Sequence, residues 1–292
     1  MEIPWDDDRC ILCTEKHPLT IEHIIPDQLG GKLWSKILCG ECNSRLGSEI
    51  EADIKKDPSI RLAIEGIKNK APNIYLELSV GLDYIAKSKR GTVKGKFKNN
   101  EFRPRAHKAQ DNSIIQPTDD AKHSIRRTLE KQNSSDETIA HTLQMIDEAP
   151  LDKLIKLNDG MKIIKWGVDE IQPDLTGPKI DDIVPLKIAY EFLAIRIRSA
   201  IYVDPFNDIR DAILNRSKNP GVYEVEHLRG PKYDPLHCIF IEQNQPYIQI
   251  MVVLFRWIIY RVKLYRLALD DQFHRVAYEV DLKTGVEKRG QI

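Results

Sequence analysis

Four cysteines occur as Cys10-x-x-Cys13 and Cys39-x-x-Cys42, and the segment Glu22-His23-Ile24-Ile25-Pro26 lies between the pairs. Asn43 follows the last cysteine directly. Thiolates two residues apart can share one ion, and two such pairs at this separation form the pattern of a single tetrahedral zinc site with four sulfur ligands. Four unrelated thiols would not fall into two pairs of that spacing. Closing both pairs on one ion would draw His23 and Asn43 onto neighbouring parts of one small unit. The residue types so gathered, a carboxylate, an imidazole and an amide, can hold a hard cation and move a proton.

Residues 1–58 carry the signals of the elements that would position them. Arg9 to Thr14 fits a knuckle turn, and Thr20 to Ile25 a short strand of β-branched residues ended by Pro26. Gly30-Gly31 marks a turn. From Cys42 to Ile54, the apolar residues Leu46, Ile50 and Ile54 recur at a helical interval, which leaves Glu49, Glu51 and Asp53 for the wet face. The order is knuckle, strand, glycine turn, strand, knuckle, helix: a ββα unit around a metal.

Together, Cys10-x2-Cys13, Glu22-His23-Ile24-Ile25-Pro26, Gly30-Gly31-Lys32-Leu33 and Leu38-Cys39-x2-Cys42-Asn43 resemble the HNH endonucleases, the ββα-metal nuclease family, over residues 8–54. The resemblance implies that His23 is the general base and that Glu22 and Asn43 bind the catalytic metal, while Cys10, Cys13, Cys39 and Cys42 hold a structural zinc. It implies DNA as substrate, with a 5′ phosphate left on the product. The chemistry agrees with those roles. An imidazole titrating near neutrality can take a proton from the attacking water. A carboxylate and an amide oxygen are hard ligands suited to magnesium or manganese, whereas zinc prefers the thiolates. At the family's middle position Ser35 or Lys36 falls nearest, and one helical turn beyond Asn43 stands Gly47, which leaves two protein ligands. A second reading keeps the zinc and the basic residues below but not catalysis: a zinc-stabilised DNA-binding module.

Beyond residue 59 the reading is a larger mixed α+β domain, so the fold class is α+β with domains 1–58 and 59–292 and a polar linker near 110–135. Residues 60–110 read as β-rich, with Ile74–Val80 one strand and Thr92–Phe97 another. Ser134 or Ser135 is placed to cap a helix over 136–148. Leu186, Ala189, Tyr190, Leu193, Ala194, Ile197 and Ile201 trace one stripe of a helix over 185–202, with Lys187, Glu191 and Arg198 away from it. A shorter helix follows over 208–216. The segments 237–242, 247–257 and 259–267 read as strands of a C-terminal sheet. Cys238 beside His237 reads as a buried strand cysteine, and Arg196, Arg256, Arg261 and Lys263 as solvated.

The 292 residues carry 44 basic and 44 acidic side chains, so overall charge attracts no polyanion and any DNA affinity must be local. Such a patch is offered by Lys87, Lys89, Arg90, Lys94, Lys96 and Lys98, within a stretch to Lys108 that includes Phe97 and Phe102. The start of the chain lacks the apolar core of a secretory signal, and the apolar run 248–259 is broken by Gln249 and Arg256. The expectation is a cytoplasmic chain with no membrane segment. One site cuts one strand, so double-strand cleavage would call for a homodimer or two nicks. The C-terminal region would supply recognition, or would receive an activating ligand or partner protein, as in restriction or antiphage defence.

Overall fold

The structure is a computed structural model, and it describes all residues except 89–90, 99–100, 109–113, 152–153, 157–161, 165–166, 245–246, 266–275 and 292. Its fold class is α+β, with the cysteine-bearing unit at the N-terminus. By its contacts the chain forms two compact units, one of residues 1–79 with 175–292 and one of residues 80–174.

In the first unit, β1 (Leu19–His23) pairs antiparallel with β2 (Trp34–Cys39), in a register that sets Glu22 opposite Ser35 and His23 opposite Trp34. The connection turns at Gly30, whose φ of 85° favours glycine. At Gly31 a Cβ would lie 1.8 Å from the Ile25 carbonyl oxygen, so only glycine fits. Helix α1 (Gly40–Leu46) starts on Cys39, whose sulfur accepts the Cys42 N–H at 3.5 Å, and it runs on as one π-helical turn over Gly47–Glu51. Asp57 caps α2 (Pro58–Gly66) by accepting the N–H groups of Ser59 and Ile60. Residues expected as a strand instead form α3 (Pro72–Ser79). Ala71, Tyr75 and Leu78 are buried at helical spacing, whereas the alternating positions Leu76 and Val80 are 47% and 71% exposed. Pro72 also suits a first helical turn, where its missing N–H costs nothing.

The second unit holds an antiparallel sheet in the order β10-β3-β4-β5, formed by β3 (Tyr84–Ser88), β4 (Gly91–Lys98), β5 (Glu101–Pro104) and β10 (Glu170–Pro173). Two further small pairs are β6 (His107–Lys108) with β7 (Ile114–Ile115), and β8 (Leu154–Lys156) with β9 (Lys162–Ile164). The stretch expected as a linker near 110–135 carries α4 (Thr118–Lys131), which packs on α5 (Asp136–Glu148). Its composition is polar, but Ile125 and Leu129 fall on one helical face and meet Ile139, Leu143 and Ile146. Residues 110–113 of that stretch lie outside the described residues. Ser135 caps α5 by accepting the Thr138 N–H.

The chain then returns to the first unit with α6 (Ile183–Ile197) and α7 (Asn207–Asn215), followed by a six-stranded antiparallel sheet. The strands are β11 (Tyr223–Arg229), β12 (Leu236–Asn244), β13 (Tyr247–Leu254), β14 (Ile258–Tyr265), β15 (Val276–Asp281) and β16 (Glu287–Gln291), in the order β11-β14-β13-β12-β15-β16. Helix α6 packs on β12, β13 and β14 and is buried on every side except at Arg196. The expectation of a single apolar stripe is therefore corrected: Lys187 and Glu191 lie inside, both fully buried. A helix apolar all round belongs in a core, and these two charges stay there by pairing with each other.

His237 joins the N-terminal segment to this sheet. Its Nε2 donates to the Leu29 carbonyl at 2.8 Å, and its Nδ1 accepts the Phe255 N–H at 3.1 Å. That second bond supports the β13–β14 turn, where Phe255 and Arg256 both hold a positive φ that L-residues resist. Among the described residues, no helix is long and apolar enough to cross a membrane.

Candidate active site

The first knuckle is a tight turn in which Cys10 accepts the Thr14 N–H at 2.9 Å and Thr14 takes a φ of 64°. The Ile11 N–H donates to the Ile37 carbonyl, which docks the knuckle against β2. Cys39 ends β2 and Cys42 lies in the first turn of α1, so strand and helix geometry set the second pair. The four sulfurs lie within 4.8 Å of one another, with Cys13 and Cys39 3.9 Å apart. A tetrahedron with Zn–S bonds of about 2.3 Å requires sulfurs about 3.8 Å apart. The donor set fits zinc in number, softness and spacing. Its electrostatics call for a dication as well. Hydrogen bonds, first that from Cys42 and then those from backbone N–H groups, pull the Cys10 thiol down to about 5, while burial and neighbouring sulfurs push Cys13 up to about 11. Four clustered sulfurs cannot all ionise unless a cation sits among them.

Glu22 and His23 sit at the end of β1. Ser35, opposite Glu22, is buried and donates to the Ile3 carbonyl at 2.7 Å, while Lys36 is exposed. Glu22 is only 5% exposed, and its Oε1 accepts a hydrogen bond from the Lys187 ammonium of α6. Lys187 also lies 3.5 Å from the His23 carbonyl oxygen, 2.7 Å from Glu51 Oε1 and 3.1 Å from Glu191 Oε2. Glu51, expected on the wet face, is thus turned inward at the end of the π-helical turn, because the extra residue in that turn rotates the chain past a regular helical register. Burial raises the Glu22 and Glu191 carboxyls above the usual range, against the pull of Lys187. Burial opposes the Lys187 charge, but Glu191, Glu22 and Glu51 together hold the ammonium well above its ordinary value.

Asn43 lies within the first turn of α1, beyond the capping residue Cys39. Its Nδ2 donates to Thr20 Oγ1 at 3.0 Å and to the Ile21 carbonyl at 2.8 Å, which presses the amide against β1 just before Glu22-His23. Thr20 Oγ1 donates in turn to the Leu38 carbonyl, so β1, β2 and α1 are fastened at one point. Glu22 Oε2 and Asn43 Oδ1 accept no hydrogen bond from the described residues, and in the Lys187 cluster neither do Glu51 Oε1 and the two Glu191 oxygens. A carboxylate oxygen and an amide oxygen are each the hard donor type that magnesium or manganese takes.

The lysines singled out for DNA lie in the second unit. Strand alternation puts Lys94, Lys96 and Lys98 on one face of β4, and the register adds Lys87, opposite Thr92, and Arg103, opposite Lys96. The other face is apolar, with Tyr84, Ala86 and Val93 buried. Acids answer part of this charge: Lys87 pairs with Glu170 at 3.4 Å and Lys94 with Asp174 at 2.7 Å. Lys96 and Lys98 have no ion-pair partner among the described residues. Lys89 and Arg90 lie outside the described residues.

Sequence reasoning missed Lys187, Glu51 and Glu191. The available signal was a lysine and a glutamate four apart in a helix with no other charge before Arg196.

Residues 10–59 match the model of the HNH endonuclease family. That segment contains both cysteine pairs, Glu22, His23 and Asn43, and the match supports a nuclease-type function for it. No curated protein and no solved structure matches the chain.

Proposed function

We propose that this chain is a metal-dependent endonuclease that hydrolyses DNA phosphodiester bonds, with His23 as general base and Glu22 and Asn43 as ligands of magnesium or manganese. The observation that carries the proposal is the placing of the Asn43 amide. It is bonded to the strand that bears Glu22-His23, next to the four-cysteine cluster, and its oxygen has no partner among the described residues. A bound divalent cation would supply charge neutralisation at the scissile phosphate and the departing oxygen. The His23 imidazole, half-buried at the strand end, would take the proton of the attacking water. The cysteine cluster, with zinc bound, would hold β2 and α1 at the angle that keeps Asn43 against β1.

In this reading residues 1–58 are the nuclease module and the remainder serves recognition or regulation, in a setting such as restriction or antiphage defence. The basic face around Lys96 and Lys98 would lie along a phosphate backbone. The burial of Glu22 and its bond to Lys187 favour one other reading, a zinc-stabilised DNA-binding module without catalysis. Plasmid cleavage in magnesium or manganese decides between them. The endonuclease reading expects nicking by the wild type and a loss of about 100-fold or more in His23→Ala, the range of a general base. Equal cutting by both proteins rules out His23 as the base, and binding without cutting in either metal favours the other reading.

A further inference from the structure

Lys187 Nζ is surrounded by three carboxylates at a position with no exposed surface. A buried ion pair is a weak source of stability, since apolar side chains of similar size often do as well or better. Burial alone therefore does not account for a lysine in a helix whose only other charges are Glu191 and Arg196. Its contacts do. Two of the four partners are Glu22 and the backbone of His23, the residues on which the proposed function rests. The other two, Glu191 on the same helix and Glu51 at the end of the π-helical turn, hold the ammonium in place. Lys187 engages Oε1 of Glu22, and Oε2 has no hydrogen bond among the described residues.

We propose that Lys187 is a positioning residue of the nuclease site: it fixes the Glu22 carboxylate with Oε2 presented to the divalent cation, and it steadies the backbone that aims the His23 imidazole. The inference rests on the proposed roles of Glu22 and His23. It also changes the part played by the C-terminal half. Residues 175–292 then complete the active site, because the cation that orients Glu22 is carried on α6, 165 residues along the chain. Groups that orient a metal ligand from behind typically account for about 10- to 100-fold in metal affinity or activity.

The test uses the full-length, zinc-loaded protein. Lys187→Met removes the ammonium, and Lys187→Gln combined with Glu191→Gln removes one charge of each sign, which keeps the net charge of the cluster and protects folding. Manganese affinity is measured without DNA, by calorimetric titration, alongside the nicking rate at saturating plasmid, zinc content and the melting temperature. The expected result is about 10- to 100-fold weaker manganese binding and a comparable fall in rate, with zinc content and metal-free DNA affinity unchanged. Lys187→Arg, which keeps the charge, should recover part of both. A folded variant with wild-type manganese affinity and rate overturns the proposal. So does tighter manganese binding with faster cutting, which would make the ammonium a competitor of the cation. Glu22→Gln separates the two readings. If it binds manganese and cuts as well as wild type, the assignment of the site fails; if it loses both while the Lys187 variants lose neither, only the positioning role fails.

Discussion

Burial lowers the His237 imidazole from its ordinary value of 6.5 to about 4, because a charged ring would have to sit among apolar neighbours. Its bond to the Leu29 carbonyl opposes the shift only in part. Between those pH values the unfolded chain binds a proton that the folded chain rejects, so stability is complete above pH 6.5 and is lost as pH falls toward 4. At about 1.4 kcal/mol per unit the loss approaches about 3 kcal/mol. Denaturant unfolding across this range should show the slope, and His237→Gln should flatten it. Single residues were legible in the sequence to the degree that their partners were near. The cysteine pairs and Asn43 follow one another within 43 positions, and spacing alone relates them. Lys187 and His237 act on Glu22 and Leu29 from 165 and 208 residues away, and no local pattern carries that information.

At the scale of elements, β2 and α1 were readable because turn glycines and periodicity agree with the tertiary result. Helix α3 was not, since a run such as Ile74 to Leu78 suits either period and packing of Tyr75 and Leu78 decided it. For α6 the sequence showed a helix but not its surroundings: a helix enclosed on all sides differs from an amphipathic one only in what covers its second face. The sheet of the second unit yields a prediction of its own. Its charged face has two lysines, Lys96 and Lys98, with no acid answering them among the described residues. If they meet phosphates, each contributes about 0.9 to the dependence of log affinity on log salt concentration. Replacing both with alanine should reduce that slope by about 2, measured by fluorescence anisotropy on duplex DNA without divalent metal. An unchanged slope would show that DNA meets another surface.

For the whole molecule, the second unit begins and ends at neighbouring positions. Pro173 pairs with Tyr84 across β10 and β3, and the Asp174 N–H donates to the Asp83 carbonyl at 3.1 Å. An insertion whose two ends adjoin can be removed without stretching what remains. Excising residues 84–173 and closing the gap with a short Gly-Ser linker should leave a folded, zinc-binding protein. Melting and elemental analysis would check this, and its DNA affinity should fall by the share of the basic face. Aggregation of the excised form would show that the first unit depends on the second.

The discontinuity of the first unit also bears on the order of synthesis. The four-cysteine segment leaves the ribosome before α6, which bonds Glu22 and comes after a further hundred residues and more. At about 5–20 residues per second this leaves the segment without its lysine for on the order of ten seconds. If Glu22 binds the catalytic cation and Lys187 orients it, as proposed, a nascent chain would cut about 10- to 100-fold more slowly than the finished protein until α6 has been made.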